Sequence, residues 1–184
     1  KYFELLRKSS FYVEYGSGGS TVAAAKLGKN FASYESSEKF LKLVSKKIIQ
    51  LGKFDHQCMD LKSIYYGPTR TWGIPFPYAL SKFIFRKGMQ KYSNPHWEKI
   101  KQFPDLILID GRFRVACALK AIKSLKNQDN WVIIVDDYLG REEYKIIEEF
   151  SDLDAIIGTT AFFSKKLFSK DIDKAIVLHE LDFL

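Results

Sequence analysis

The 184-residue sequence predicts an α/β fold: a mainly parallel sheet with an antiparallel last strand and helices on both faces. Three observations lead there. Short apolar runs alternate with longer amphipathic stretches. A glycine-rich turn separates the first apolar run from the helix that follows it. Two apolar runs close the chain with too short a segment between them for a crossover helix, so they pair antiparallel.

Taken in order, residues 1–8 read as the end of a leading helix and 11–15 as the first strand. Residues 21–27 begin a helix that Gly28 stops. A second strand covers 31–35. The helix after it, 38–51, carries Phe40, Leu41, Val44, Ile48 and Leu51 at helical spacing and ends at Gly52. The third strand is expected between His56 and Tyr66, ending near Ile64. From 65 to 103 the pattern breaks at Pro68, Pro75, Pro77 and Pro95 among many aromatic residues, which marks an insertion or lid. Periodicity returns with a strand at 105–110, a helix at 115–125, a strand at 131–136 and a helix at 142–150. The closing antiparallel pair is expected from 155–163 and 175–181, joined by 164–174. The whole reads as a single domain without internal repeats.

With 46% hydrophobic and 28% charged residues the chain can bury a sizeable core. No apolar run approaches the roughly 20 residues that cross a bilayer, and the start lacks a secretory pattern, so a soluble, cytoplasmic protein is expected. Of the two cysteines, Cys58 and Cys117, the second sits in an apolar helical pattern that suits a buried free thiol. The formal charge of +7 favours anionic partners. The lysines are spread along helices, as at Lys39, Lys42, Lys46 and Lys47, which indicates a solvated surface and argues against nucleic acid as the partner.

The chemistry concentrates at the first turn. Gly16, Ser17, Gly18, Gly19 and Ser20 stand where a strand must bend sharply into a helix and let backbone approach a ligand. Glu14, just before the turn, would repel a pyrophosphate but could take the ammonium of an amino-acid moiety, directly or through water. Thr21 stands where the dehydrogenase fingerprint has its third glycine, which weakens a NAD reading. Glu35 ends the second strand about twenty residues on, where a carboxylate accepts ribose hydroxyls.

On these residues the sequence resembles class I S-adenosylmethionine-dependent methyltransferases along nearly its whole length, with Glu14-Tyr15-Gly16-Ser17-Gly18 as their first motif. Within that superfamily it is similar to a bacterial group of methyltransferase-like proteins. That group is marked by the run Glu14 to Thr21, by Gly67-Pro68-Thr69 with Trp72-Gly73 and Pro75, and by the run Asp110-Gly111-Arg112-Phe113-Arg114-Val115-Ala116-Cys117. The resemblance implies a Rossmann-like sheet and S-adenosylmethionine as cofactor. It also exposes a departure: the acid that many such enzymes place after the third strand, for the adenine amino group, is replaced by Gly67-Pro68. Tyr65, Tyr66 or a backbone group near Gly67 is the expected substitute, with Asp60 as a further candidate.

Methyl transfer needs an aligned nucleophile and, for a hydroxyl, a group to take its proton. In open sheets ligands sit at the carboxyl ends of strands, which brings Asp110 and Arg112 together with Asp136, Asp137 and Tyr138. Asp110, Asp137 and Arg112 are the candidate catalytic residues, and Asp110 also flanks the methionine part of the cofactor. Asp110 and Asp137 resemble the carboxylates that hold a divalent ion in catechol-type O-methyltransferases, but Tyr138 replaces the usual Asn, so a metal is not expected. Capping is the structural alternative for Asp136 and Asp137. Arg112 and Arg114 either hold an anionic substrate or pair with these acids. Arg70, Trp72 and Tyr138 are the candidate substrate contacts, with Tyr78, His96 and Trp97 as further lid residues that either meet an acceptor or pack. Three functions compete on these grounds: methyl transfer to a small molecule or glycan oxygen, nucleoside binding without transfer, and nucleic-acid methylation. The last lacks an Asn-Pro-Pro-Tyr or Pro-Cys motif.

Overall fold

A computed structural model describes residues 1–52, 59–94 and 102–183. Seven strands form one sheet in the order β3-β2-β1-β4-β5-β7-β6. They are β1 (Tyr12–Tyr15), β2 (Phe31–Glu35), β3 (Met59–Ser63), β4 (Leu106–Ile109), β5 (Val132–Val135), β6 (Ser151–Ile157) and β7 (Thr160–Lys165). β1 to β5 pair in parallel, and β7 runs antiparallel between β5 and β6. Every residue of β1 and β4 is buried, as apolar strands covered on both faces require.

Alternate residues of these strands feed two cores. One face packs Tyr12, Phe31, Leu106 and Ile134 against α1 (Tyr2–Lys8), α2 (Gly19–Lys26) and α3 (Glu38–Ile49) through Leu6, Ala24, Val44 and Ile48. The other packs Val13, Tyr15, Ile107 and Ile133 against α5 (Arg86–Tyr92), α6 (Arg114–Ser124) and α7 (Ile172–His179). Each fully buried side chain of this size stabilises the fold by roughly 1.5–3 kcal/mol. Cys117 lies in this second core as a free thiol, and burial pushes its pKa up.

The antiparallel last strand was expected, but from other residues. Gly158, with φ 63°, and Thr159 split the run 155–163, so β6 and β7 form a hairpin. Residues 175–181 are instead mostly α7, whose Asp171 side chain caps the amides of Asp173 and Lys174 and whose Ile172, Ala175 and Ile176 are buried at helical spacing. The helix expected at 142–150 is a 3-10 helix over Glu142–Glu149.

Residues 65–94 are the described part of the segment expected as an insertion or lid. An isolated bridge joins Thr69 to Pro75 around a 3-10 turn at Thr71–Gly73, followed by α4 (Tyr78–Ile84) and α5. His56, Cys58, Pro95, His96 and Trp97 lie outside the described residues.

Candidate functional site

The parallel order β3-β2-β1-β4-β5 reverses direction of growth between β1 and β4, and the site sits at that point, outside the carboxyl ends of the strands. The turn after β1 meets the turn after β4 there. Gly16 has φ 96°, and a Cβ on it would stand 2.7 Å from the Gly111 nitrogen, so only glycine permits the contact. On one side of it opens a cavity of about 650 Å³, lined among others by Gly16, Ser17, Glu35, Ser36, Ser37, Phe40, Arg70, Asp110, Arg112, Asp137 and Arg141. On the other side a smaller cavity of about 280 Å³ is bounded by Gly18, Gly19, Ser20, Asp136 and Thr160. Gly16 and Asp110 belong to both.

Glu35 is fixed by the chain around it. One carboxylate oxygen accepts the Ser36 and Ser37 amides at 2.7 and 2.9 Å, and the other accepts the Ser17 amide at 3.2 Å. The last bond crosses from the β2 end to the glycine turn, so the carboxylate that the sequence assigns to a ribose is pre-oriented at the cavity wall.

Glu14 is placed differently from its expected role. It is fully buried on the α2 side of the sheet, lines neither cavity, and accepts from the Tyr12 and Ser33 hydroxyls, each at 2.7 Å, and from Thr21. The Gly18 amide in turn donates to the Thr21 hydroxyl at 2.7 Å. The residue in place of a third glycine therefore relays the buried carboxyl to the turn. Burial raises the Glu14 pKa against the opposing pull of its four hydroxyl partners, Thr21, Ser20, Ser33 and Tyr12.

Three other sequence candidates also turn away from the cavity. Tyr66 is buried among Tyr92 and Phe113, with ring centroids at 5.2 and 5.1 Å, and its hydroxyl donates to the Gly73 carbonyl at 2.6 Å, holding the lid turn. Gly67, at φ 112°, makes room for the Phe85 ring, which a Cβ would meet at 2.6 Å, so it serves packing within the 65–94 segment, and it does not line the larger cavity. Tyr138 is buried against Phe163, its hydroxyl donates to Glu148 at 2.5 Å, and it lines neither cavity. Trp72 lies in the 3-10 turn, and its side chain is outside the description.

Arg114 also lines the larger cavity. It is buried and donates through Nε to the Gly111 carbonyl at 2.9 Å, through Nη1 to the Asp136 carbonyl and to Asp137, and through Nη2 to the Asp110 carbonyl and carboxylate. It pairs with the acids and ties the ends of β4 and β5 together. Asp137, at φ 49°, is held in the left-handed region, 3.1 Å from Arg114 and 4.0 Å from Arg141. Asp110 is half exposed; burial, Asp136 and Asp137 raise its pKa to about 6 despite Arg114, and it shares a hydrogen bond with Asp136. Among the described residues no group of three or more His, Cys, Asp or Glu is placed to hold a metal ion.

Residues that sequence reasoning missed include Ser36, Ser37, Thr69, Thr71, Arg141 and, at the smaller cavity, Thr160, which pairs with the expected Asp136. Phe40 was expected in the core of α3. It is 45% exposed and lines the cavity instead, and its position one residue off the buried Leu41, Val44 and Ile48 stripe was the available signal.

No protein-family model matches the sequence, and no curated protein does. Among solved structures, a methyltransferase-like protein (spo2022) from Silicibacter pomeroyi DSS-3 superposes with a TM-score of 0.79 at 26% identity, covering 98% of this chain and 91% of that one. The SAH-bound methyltransferase PaMTH1 of Podospora anserina superposes at 0.52 with 14% identity, over 90% and 75% of the two chains. The sheet order, its antiparallel last strand and these neighbours together give this chain a methyltransferase-like fold.

Proposed function

We propose that the protein transfers a methyl group from S-adenosylmethionine to an oxygen of a small molecule or glycan. One arrangement carries the reading: Glu35, the Gly16-Ser17 turn and Asp110 line a single cavity at the strand ends. The cavity volume of about 650 Å³ suits a nucleoside-sized ligand. The Glu35 oxygen that takes the Ser17 amide has only that bond among the described residues, which leaves it capacity for a ribose hydroxyl. Phe40 offers an aromatic face to a base, in a wall where neither Tyr66 nor Gly67 reaches.

When bound, S-adenosylmethionine supplies a methyl group on a cationic sulfur, open to in-line attack. Asp110, shared by both cavities, accepts the proton of an acceptor hydroxyl, a task its pKa of about 6 suits near neutral pH. Asp137 acts by position, keeping Arg114 and Arg141 in place. Arg112 and Arg70 present cations to polar groups of the acceptor, with the Arg70 guanidinium fixed 3.6 Å over the Phe76 ring.

Calorimetry with S-adenosylmethionine and S-adenosylhomocysteine tests the cofactor, and saturable binding of both is expected. Folded protein that binds neither refutes the reading. A second reading, a nucleoside-binding protein without transfer, is favoured by the lack of a carboxylate beside Gly67 on the adenine side. Incubation with methyl-labelled cofactor and a metabolite extract separates the two, since label enters an acceptor only if transfer occurs.

A further inference from the structure

The lid helix α4 is inside out. Its Ser81 is 1% exposed with an Oγ that finds no hydrogen-bond partner among the described residues, whereas Leu80, Phe83 and Ile84 are 54, 88 and 57% exposed. Spacing of three and four residues puts these three on one stripe, and Lys87 in the adjoining α5 is exposed as well. Soluble helices bury such a stripe. The helix is not free to roll over: Phe85 fills the space at Gly67, and at Gly88 an added Cβ would meet the Tyr65 carbonyl at 2.8 Å, so the lid is keyed onto the core with this face outward.

The charge of the segment is as one-sided as its polarity. Residues 65–94 contain Arg70, Lys82, Arg86, Lys87 and Lys91 and no Asp or Glu, so five of the seven units of net charge lie in this stretch. Exposed Tyr65, Ile74 and Phe76 add apolar surface. Arg86 and Lys82 are drawn towards the end of α7 by Glu180 at 3.0 Å and Asp182 at 3.7 Å, while Lys87 is exposed in α5.

We propose that this outer face of the lid docks on an anionic lipid surface, with Leu80, Phe83 and Ile84 entering the headgroup boundary and the cations meeting lipid phosphates. Charge complementarity selects this occupant. A second copy of the chain would pair the patch with itself, because a two-fold interface is isologous, and would set Lys87 against like charge, with Glu180 and Asp182 already engaged by Arg86 and Lys82. Nucleic acid would satisfy the cations but leave the aliphatic stripe in water. No helix among the described residues is long and apolar enough to cross a membrane. This proposal is independent of what the cavity binds.

Co-sedimentation of the full chain with phosphatidylglycerol–phosphatidylcholine vesicles tests it, with pure phosphatidylcholine vesicles as the comparison. Binding to the anionic vesicles is expected to weaken at high salt, and to fall about tenfold or more in Phe83→Asp and severalfold in Lys87→Glu. Both positions are exposed, so unchanged thermal melts are expected for the two variants. No binding to anionic vesicles, or equal binding by Phe83→Asp, overturns the proposal. It is equally overturned by a concentration-dependent dimer in sedimentation equilibrium that Phe83→Asp abolishes, or by retention of single-stranded RNA without vesicle binding.

Discussion

The Arg114 guanidinium stands 3.1 Å from the Asp137 carboxylate, and the same group reaches Asp110 at 3.3 Å, so one buried cation joins the strand ends that carry both proposed functional acids. Its three backbone acceptors, the carbonyls of Asp110, Gly111 and Asp136, would be left unpaired by an apolar replacement. Arg114→Leu should therefore cost about 3 kcal/mol, in the range for removing one partner of a buried charge network. That corresponds to a fall in Tm of roughly 6–12 °C for a domain of this size. Differential scanning calorimetry checks it, and an unchanged Tm would show that the network contributes nothing to stability.

Glu35 offers the most direct test of the cofactor site. In Glu35→Gln one acceptor oxygen becomes an amide donor facing the Ser17 or the Ser36 and Ser37 amides, and the charge is gone. Loss of charge-assisted bonds worth about 1.5–3 kcal/mol should weaken S-adenosylhomocysteine by roughly tenfold to a hundredfold in calorimetry. Full affinity in this variant would place the ribose elsewhere.

The order of strands and helices was legible because parallel strands buried on both faces read as short apolar runs, as 106–109 and 132–135 do. The closing hairpin was not, since β6 alternates Asp152, Leu153 and Asp154 as a strand with one wet face, and its apolar tail runs on across Gly158 into β7. The amphipathic Ile172, Ala175 and Ile176 were available as a helix signal but lay close enough to Val177 and Leu178 to read as one apolar run. At the site, spacing located Glu35 and Asp110 correctly at strand ends. It gave no direction to side chains, and direction decided Tyr66 and Tyr138, whose rings went to the core. Glu14 failed for a related reason: within a strand successive residues point to opposite faces, and its face belongs to α2.

Because Glu14 is bonded only inside the protein among the described residues, its substitution should be read in stability. Glu14→Ala leaves the Tyr12, Thr21 and Ser33 hydroxyls without their acceptor and should cost about 3 kcal/mol or more. Glu14→Gln keeps an acceptor of the same shape and should cost about 1 kcal/mol, with S-adenosylhomocysteine affinity changed by no more than about threefold. A large loss of affinity in Glu14→Gln with an unchanged melt would restore the residue to the ligand.

Asp110 should make the protein respond to pH. Its pKa in the fold is about 6 against an ordinary value of 3.8, so the neutral form is favoured by folding. For a group raised in the fold, the contribution to stability is fully present below the ordinary value and is lost as pH rises through about 6. Asp110→Asn keeps the neutral state at every pH. Its Tm relative to the native protein should therefore increase between pH 4 and pH 7, the window set by those two values. Carboxyl carbon NMR gives the same quantity directly, as one resonance absent from Asp110→Asn that titrates near pH 6. Once an acceptor is known, its methylation should climb over the same interval, because only the ionised carboxylate takes a proton, and Asp110→Asn should be slower by roughly a hundredfold or more with no rise there. A resonance that titrates near pH 4 would remove Asp110 from the proton-transfer role while leaving its pairing with Arg114 intact.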